Sequence, residues 1–216
     1  MEVYSSEEER LEALQAWWKE NKSSTFLGVA LGAAVIAGWN MWQHNRQNQA
    51  EQASRVFQQL LKSSEDNQTD AAEKLAERLT ASYPSTTYAE FAMLYLAKAR
   101  VEKGDYTAAR KVLEDLIHQT SDTPTKQVAM LRLGRVLLAA GDTATGLKLV
   151  ESMRDSETGT FAGQFEELKG DFYLAAKRTT EARRAYEIAK ELGEKSPLLE
   201  LKLNELPPPI SPKAAS

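Results

Sequence analysis

An uncharged run from Phe26 to Trp42, FLGVALGAAVIAGWNMW, sets the strongest constraint on how this chain can fold. Its only strongly polar residue is Asn40. With Ser23, Ser24 and Thr25 it reaches ~20 residues, or about 30 Å as a helix, one hydrocarbon thickness of a bilayer. A helix buried in a soluble core would alternate apolar and polar faces at a period of 3.6, and this stretch does not. Phe26, Leu27, Val29, Leu31, Val35 and Ile36 favour insertion by about 2 to 3.6 kcal/mol together, which one central charge would cancel. A cleaved signal peptide ends in small residues. Here the run ends in Trp39, Met41 and Trp42, an interfacial pattern, so an uncleaved membrane anchor over 23–42 is expected.

Direction is less marked. Arg10, Lys19 and Lys22 precede the anchor, and Arg46, Arg55 and Lys62 follow it closely. Lys19 and Lys22 are the nearer pair and favour an inside N-terminus. A long soluble domain crosses largely regardless of its charge, so the expected topology is N-in, C-out. The net charge of −4 excludes the basic surface that nucleic-acid binding needs. Cysteine is absent, which excludes disulfides, thiol catalysis and cysteine metal sites.

Residues 1–22 read as a cytoplasmic tail with a short amphipathic helix. Ser6 and Glu9 form a capping box, and Leu11, Leu14 and Trp18 share one face. Within the anchor, Gly28 and Gly32 form G-x-x-x-G, a spacing that lets a second membrane helix approach closely. Residues 43–50 are polar, either a stalk or a continuation of the helix. After them the chain reads as helical to Leu206, broken at 63–70, 83–86, 103–105, 120–124, 140–142, 154–160, 176–178 and 193–197. Ser196 and Pro197 open a last helix as cap and first-turn residue, and 207–216 is a proline-bearing tail expected to be disordered.

The breaks recur at a fixed interval. Gly104-Asp105 and Gly141-Asp142 lie 37 residues apart. Small residues follow the same interval at Ala72, Ala109, Gly146 and Ala182, with Ala97, Gly134 and Gly170 twelve residues before the last three. Leu113, Val150 and Tyr186 follow four residues after them. These residues resemble the tetratricopeptide repeat, in which small residues stand where two helices cross and a large apolar one fills the gap behind. The segment LKGDFYLAAKRTTEARRAYEIA fits best, and Pro84 stands where that family places its terminal proline. The departures are Met93 and Met130 at the early tryptophan position, Lys177 at the inter-helix glycine, and a period above the usual ~34 residues. The expected fold is all-α: a single N-terminal transmembrane helix, then a tetratricopeptide-like solenoid over 51–206 with about four hairpins and a capping helix.

No motif carries catalysis. His44 and His118 are isolated, and neither nucleophile, phosphate loop nor metal spacing is present, so the chain is expected not to be an enzyme and to need no cofactor. What remains is a binding surface. The repeat register places Phe91, Leu94 and Lys98, then Val128, Leu131, Arg135 and Leu138, then Gln164, Glu167, Asp171 and Leu174 along a concave groove. Its apolar patches and mixed charges suit extended or partly folded polypeptide.

The short tail, the Gly/Ala-rich anchor, the W-x-x-W exit at Trp39 to Trp42, the M-E-x-Y start and the repeat domain opening in AEQASRVFQQL resemble the YfgM family of bacterial inner-membrane proteins. The resemblance implies a single-pass inner-membrane protein, N-terminus cytoplasmic and repeat domain periplasmic. It implies an ancillary subunit of the Sec translocon, a chaperone or adaptor for exported polypeptides. Implied partners are translocon subunits, a membrane-anchored prolyl isomerase-like periplasmic chaperone and, through the tail, a cytosolic response regulator. The alternatives are an envelope-assembly scaffold that binds one folded partner, or a stress-response regulator acting through the tail.

Overall fold

The computed structural model describes residues 7–153 and 158–207. Ser6 of the expected capping box and all of the expected tail except Pro207 lie outside them. The chain divides between Gln52 and Ala53 into two units. Helix α1 runs from Glu7 to Glu65. The amphipathic segment, the apolar run, the polar 43–50 and the first repeat helix are therefore one helix, with no proline to interrupt it.

In the first unit the apolar run is exposed along its length. Val35 is 72 % exposed and Met41 78 %, and a Cβ added at Gly28 or Gly32 would meet no neighbour within 4 Å. This is the one helix among the described residues long and apolar enough to cross a membrane. Aromatic rings cluster at both its ends. Trp18 meets Phe26 edge-on at 5.9 Å and lies 6.5 Å from Trp17. Trp39 and Trp42 lie 5.1 Å apart, with the Arg46 guanidinium 4.9 Å from the Trp42 ring.

In the second unit, Ala53–Glu65 of α1 is followed by α2 (Thr69–Ser82), α3 (Thr87–Glu102), α4 (Tyr106–Gln119), α5 (Thr123–Ala139) and α6 (Thr143–Glu151). A 3₁₀ turn at Gly159–Phe161 leads into α7 (Ala162–Ala175), α8 (Thr179–Glu191) and α9 (Pro197–Glu205). Among the described residues these make four hairpins and a closing helix, the all-α repeat architecture expected.

Each hairpin turns through a left-handed residue: Asn67 (φ 57°), Gly104 (76°), Gly141 (75°) and Lys177 (62°). Only glycine adopts that conformation without penalty, asparagine comes next, and lysine is strained there. The same bond closes all four turns. The amide three residues past the helix returns to a carbonyl five residues back, as in Asp105 to Arg100 (2.9 Å) and Arg178 to Tyr173 (2.8 Å). Asp105 and Asp142 then cap the next helix by accepting from Ala108 (2.9 Å) and Thr145 (3.2 Å). Ser196 stands at the start of α9, but its hydroxyl does not cap the helix as expected. It donates to the Glu167 carboxylate at 3.3 Å, a charged and therefore stronger acceptor.

The small residues are where the repeat register places them. Ala72, Ala109 and Ala182 are fully buried. A Cβ on Gly134 would overlap Leu168, one on Gly146 the Phe172 ring, and one on Gly170 the Tyr186 ring. The core forms three clusters in chain order. Ala53, Val56 and Leu60 pack with α2 and α3. A middle cluster runs from Leu94 to Phe172. The third joins Ala182, Tyr186 and Ala189 to Leu199, Leu203 and Leu206.

Candidate functional site

The face to build from is that of α3, α5 and α7, the first helices of their hairpins. Each is apolar on most of its circumference because it packs against both the preceding and the following hairpin. Leu94 (8 % exposed) and Leu131 (3 %) point into the middle cluster, and Val128 and Leu138 pack half-buried against it. Phe91 remains exposed, its ring 5.9 Å from Phe57. Gln164 is half-buried and Leu174 exposed.

Two of the expected groove residues, Lys98 and Arg135, come together. They line a cavity of about 370 Å³ between α3 and α5. Its walls are Ala97 and Val101 from α3, Val136 and Ala139 from α5, and Leu113 from α4. Its polar groups are Lys98, Glu102, Arg132 and Arg135. The Lys98 ammonium lies 3.5 Å from Glu102. Arg132 Nη1 donates to the Leu94 carbonyl at 3.2 Å. Burial, and then the nearby charge of Arg135, lower the Arg132 guanidinium below its ordinary pKa. Arg132 escaped the sequence reading, although it lies three residues before Arg135 and so shares its side of the helix.

Glu167 and Asp171, also expected in the groove, already have a partner. Lys202 of α9 places its ammonium 2.8 Å from Glu167 and 2.7 Å from Asp171. Tyr186 donates to Asp171 at 2.7 Å. Burial would lower the Lys202 pKa, but hydrogen bonds to Asp171 and Glu167 outweigh it and raise it. Burial, then the bond to Asp171, pushes the Tyr186 phenol far up. The arrangement offers apolar walls, two arginines and an acidic pair that shares the Lys202 ammonium.

Comparison with known proteins fits this geometry. Residues 15–208 match the family described as the tetratricopeptide repeat-like domain. An ancillary SecYEG translocon subunit of Haemophilus influenzae is 35 % identical over 107 residues, covering 49 % of this chain and 52 % of that protein. The protein of the same description from Escherichia coli is 29 % identical over 106 residues, covering 48 % and 52 %. The chain thus matches about half the length of these curated relatives. The solved structure of MamA from Desulfovibrio magneticus superposes with a TM-score of 0.52 over 67 % of this chain and 76 % of that one. At 16 % identity that likeness speaks for the fold alone.

Proposed function

The chain belongs to the tetratricopeptide repeat-like domain family, and from that premise we propose that it is a membrane-tethered adaptor or chaperone of the Sec translocon. In this reading α1 is anchored in the bacterial inner membrane, the tail is cytoplasmic and the repeat domain periplasmic. The domain holds exported polypeptide on the face of α3, α5 and α7. The anchor contacts other membrane helices through Gly28 and Gly32, which close approach requires to be small. Tethering keeps the binding face at high effective concentration near emerging chains. A membrane-anchored prolyl isomerase-like chaperone works beside it on the same clients.

One observation carries the reading. A single chain combines a long apolar helix whose large apolar side chains are exposed with a stack of hairpins whose first helices leave an open cavity. The relatives' shared description names the machine. Its work is recognition, since no group at the cavity is arranged to make or break a covalent bond.

Photocrosslinking from Gly28, Gly32, Lys98 and Arg135 in native membranes tests the proposal. The anchor probes should recover translocon subunits, and the cavity probes a broad set of exported chains. Recovery of neither would overturn it; a single folded partner at the cavity would favour a scaffold.

A further inference from the structure

We infer that the cavity between α3 and α5 selects an acidic side chain next to an aliphatic one on an extended polypeptide. This rests on the adaptor reading and names the class of segment that the face prefers.

Charge balance is the first argument. Several arginines elsewhere on the repeat domain meet carboxylates: Arg110 pairs with Glu114 and Asp142, and Arg178 with Glu181 and Glu151. At the cavity Glu102 serves Lys98. Among the described residues no carboxylate pairs with Arg132 or Arg135. Two like charges three residues apart on one helix face repel, and a ligand carboxylate relieves that repulsion. A guanidinium fork suits a carboxylate better than a point charge does, because two N–H groups meet two oxygens.

The second argument is that the complementary patch is closed. Glu167 and Asp171 share the Lys202 ammonium, and Asp171 also accepts from Tyr186, so the one negative charge left between them is already hydrogen-bonded and a basic ligand side chain gains less there. The free charge on this face is positive. The third is shape: behind the arginines lie Val101, Leu113, Val136 and Ala139, and a cavity of about 370 Å³ accepts a leucine-sized side chain together with adjoining backbone. In an extended segment residues i and i+2 point the same way, ~7 Å apart, so one can meet the guanidinia and the other the apolar wall. The chain as a whole carries −4. Bulk attraction therefore disfavours acidic ligands, and a preference for them has to arise locally.

The test uses the full chain in nanodiscs with fluorescent peptides acetylated and amidated at their ends, so that only side chains carry charge. One peptide repeats Asp-Ser-Leu-Ser, so that Asp and Leu lie two residues apart on the same face; a second has Asn for Asp, and a third has Ser for Leu. Anisotropy titration at low salt should show the Asp/Leu peptide binding at least tenfold tighter than either control. Added salt should narrow its lead over the Asn peptide. Arg135→Gln should remove most of that lead with the melting temperature unchanged, whereas Lys111→Gln, an exposed charge on α4, should leave it intact. Equal binding of the Asp and Asn peptides, absence of binding, or an undiminished preference in Arg135→Gln would each overturn the inference. Equal binding of all three leaves the adaptor reading standing. Conversely, the acid preference can hold while the crosslinking fails, and then the adaptor reading falls.

Discussion

At the scale of single residues, Gly134, Gly146 and Gly170 sit where a side chain has no room. Gly146 sits against the face of Phe172, with no room for a methyl group. Gly146→Val should destabilise the domain by about 3 kcal/mol, the upper range for overpacking a filled core, read as a lower denaturant midpoint. Lys177 presents the opposite case, a side chain held at φ 62° where two of its sister turns use glycine. Lys177→Gly should raise stability by about 0.5–1 kcal/mol, measured in the same titration. Asn67→Ala should lower it by a similar amount. The small-residue register was readable in the sequence because steric exclusion restricts each position to Gly or Ala. The break at 63–70 was read, but not that Asn67 takes its left-handed position, since asparagine has many roles and only the backbone angle reveals this one. Leu94 and Leu131 were placed with the groove, yet both face the core. A few tens of degrees of rotation about a helix axis separate the two outcomes, and a repeat pattern does not fix an angle that finely.

At the scale of elements, polar contacts add to the apolar packing of Leu199, Leu203 and Leu206 in holding α9. Arg183 of α8 donates to the carbonyls of Leu203 (3.0 Å), Leu206 (2.6 Å) and Pro207 (2.9 Å). These terminal carbonyls have no partner within their own helix. Arg183→Ala should cost about 2 kcal/mol, the loss of charge-assisted hydrogen bonds at a partly exposed site. Hydrogen exchange should show α9 opening while α3 to α5 stay protected. The neighbouring Tyr186–Asp171–Lys202 group predicts an alkaline weakness. Both titrating groups have folded pKa values raised above their ordinary 10.0 and 10.5. Their contributions are complete below those values and are lost as pH rises through the folded ones. Thermal stability should therefore decline from about pH 10 upward. Tyr186→Phe should be less stable at neutral pH and show a shallower alkaline decline. None of this was visible in the sequence, because Lys202 and its two carboxylates lie some thirty residues apart and only the packing of α9 unites them.

At the scale of the whole molecule, the all-α repeat fold and the apolar helix were both legible, since each rests on a pattern many residues long. Val35→Lys should release the chain from membranes on fractionation, because a central lysine costs about 2.5–3.5 kcal/mol, close to the whole insertion gain. The absence of cysteine makes the topology easy to probe. An impermeant maleimide should label Lys111→Cys in spheroplasts and leave Gln15→Cys untouched until the cells are lysed. The reverse pattern would invert the proposed orientation. The subdivision of the repeat core has a mechanical consequence. Val112 packs against both the first and the middle clusters, and the third cluster is joined to α7 through Tyr173 and through the Tyr186 ring against Gly170. A repeat array gives way interface by interface. Under a pull on its C-terminal end in an optical trap, this domain should yield first at α8 and α9, extend by that length, and still hold its remaining load.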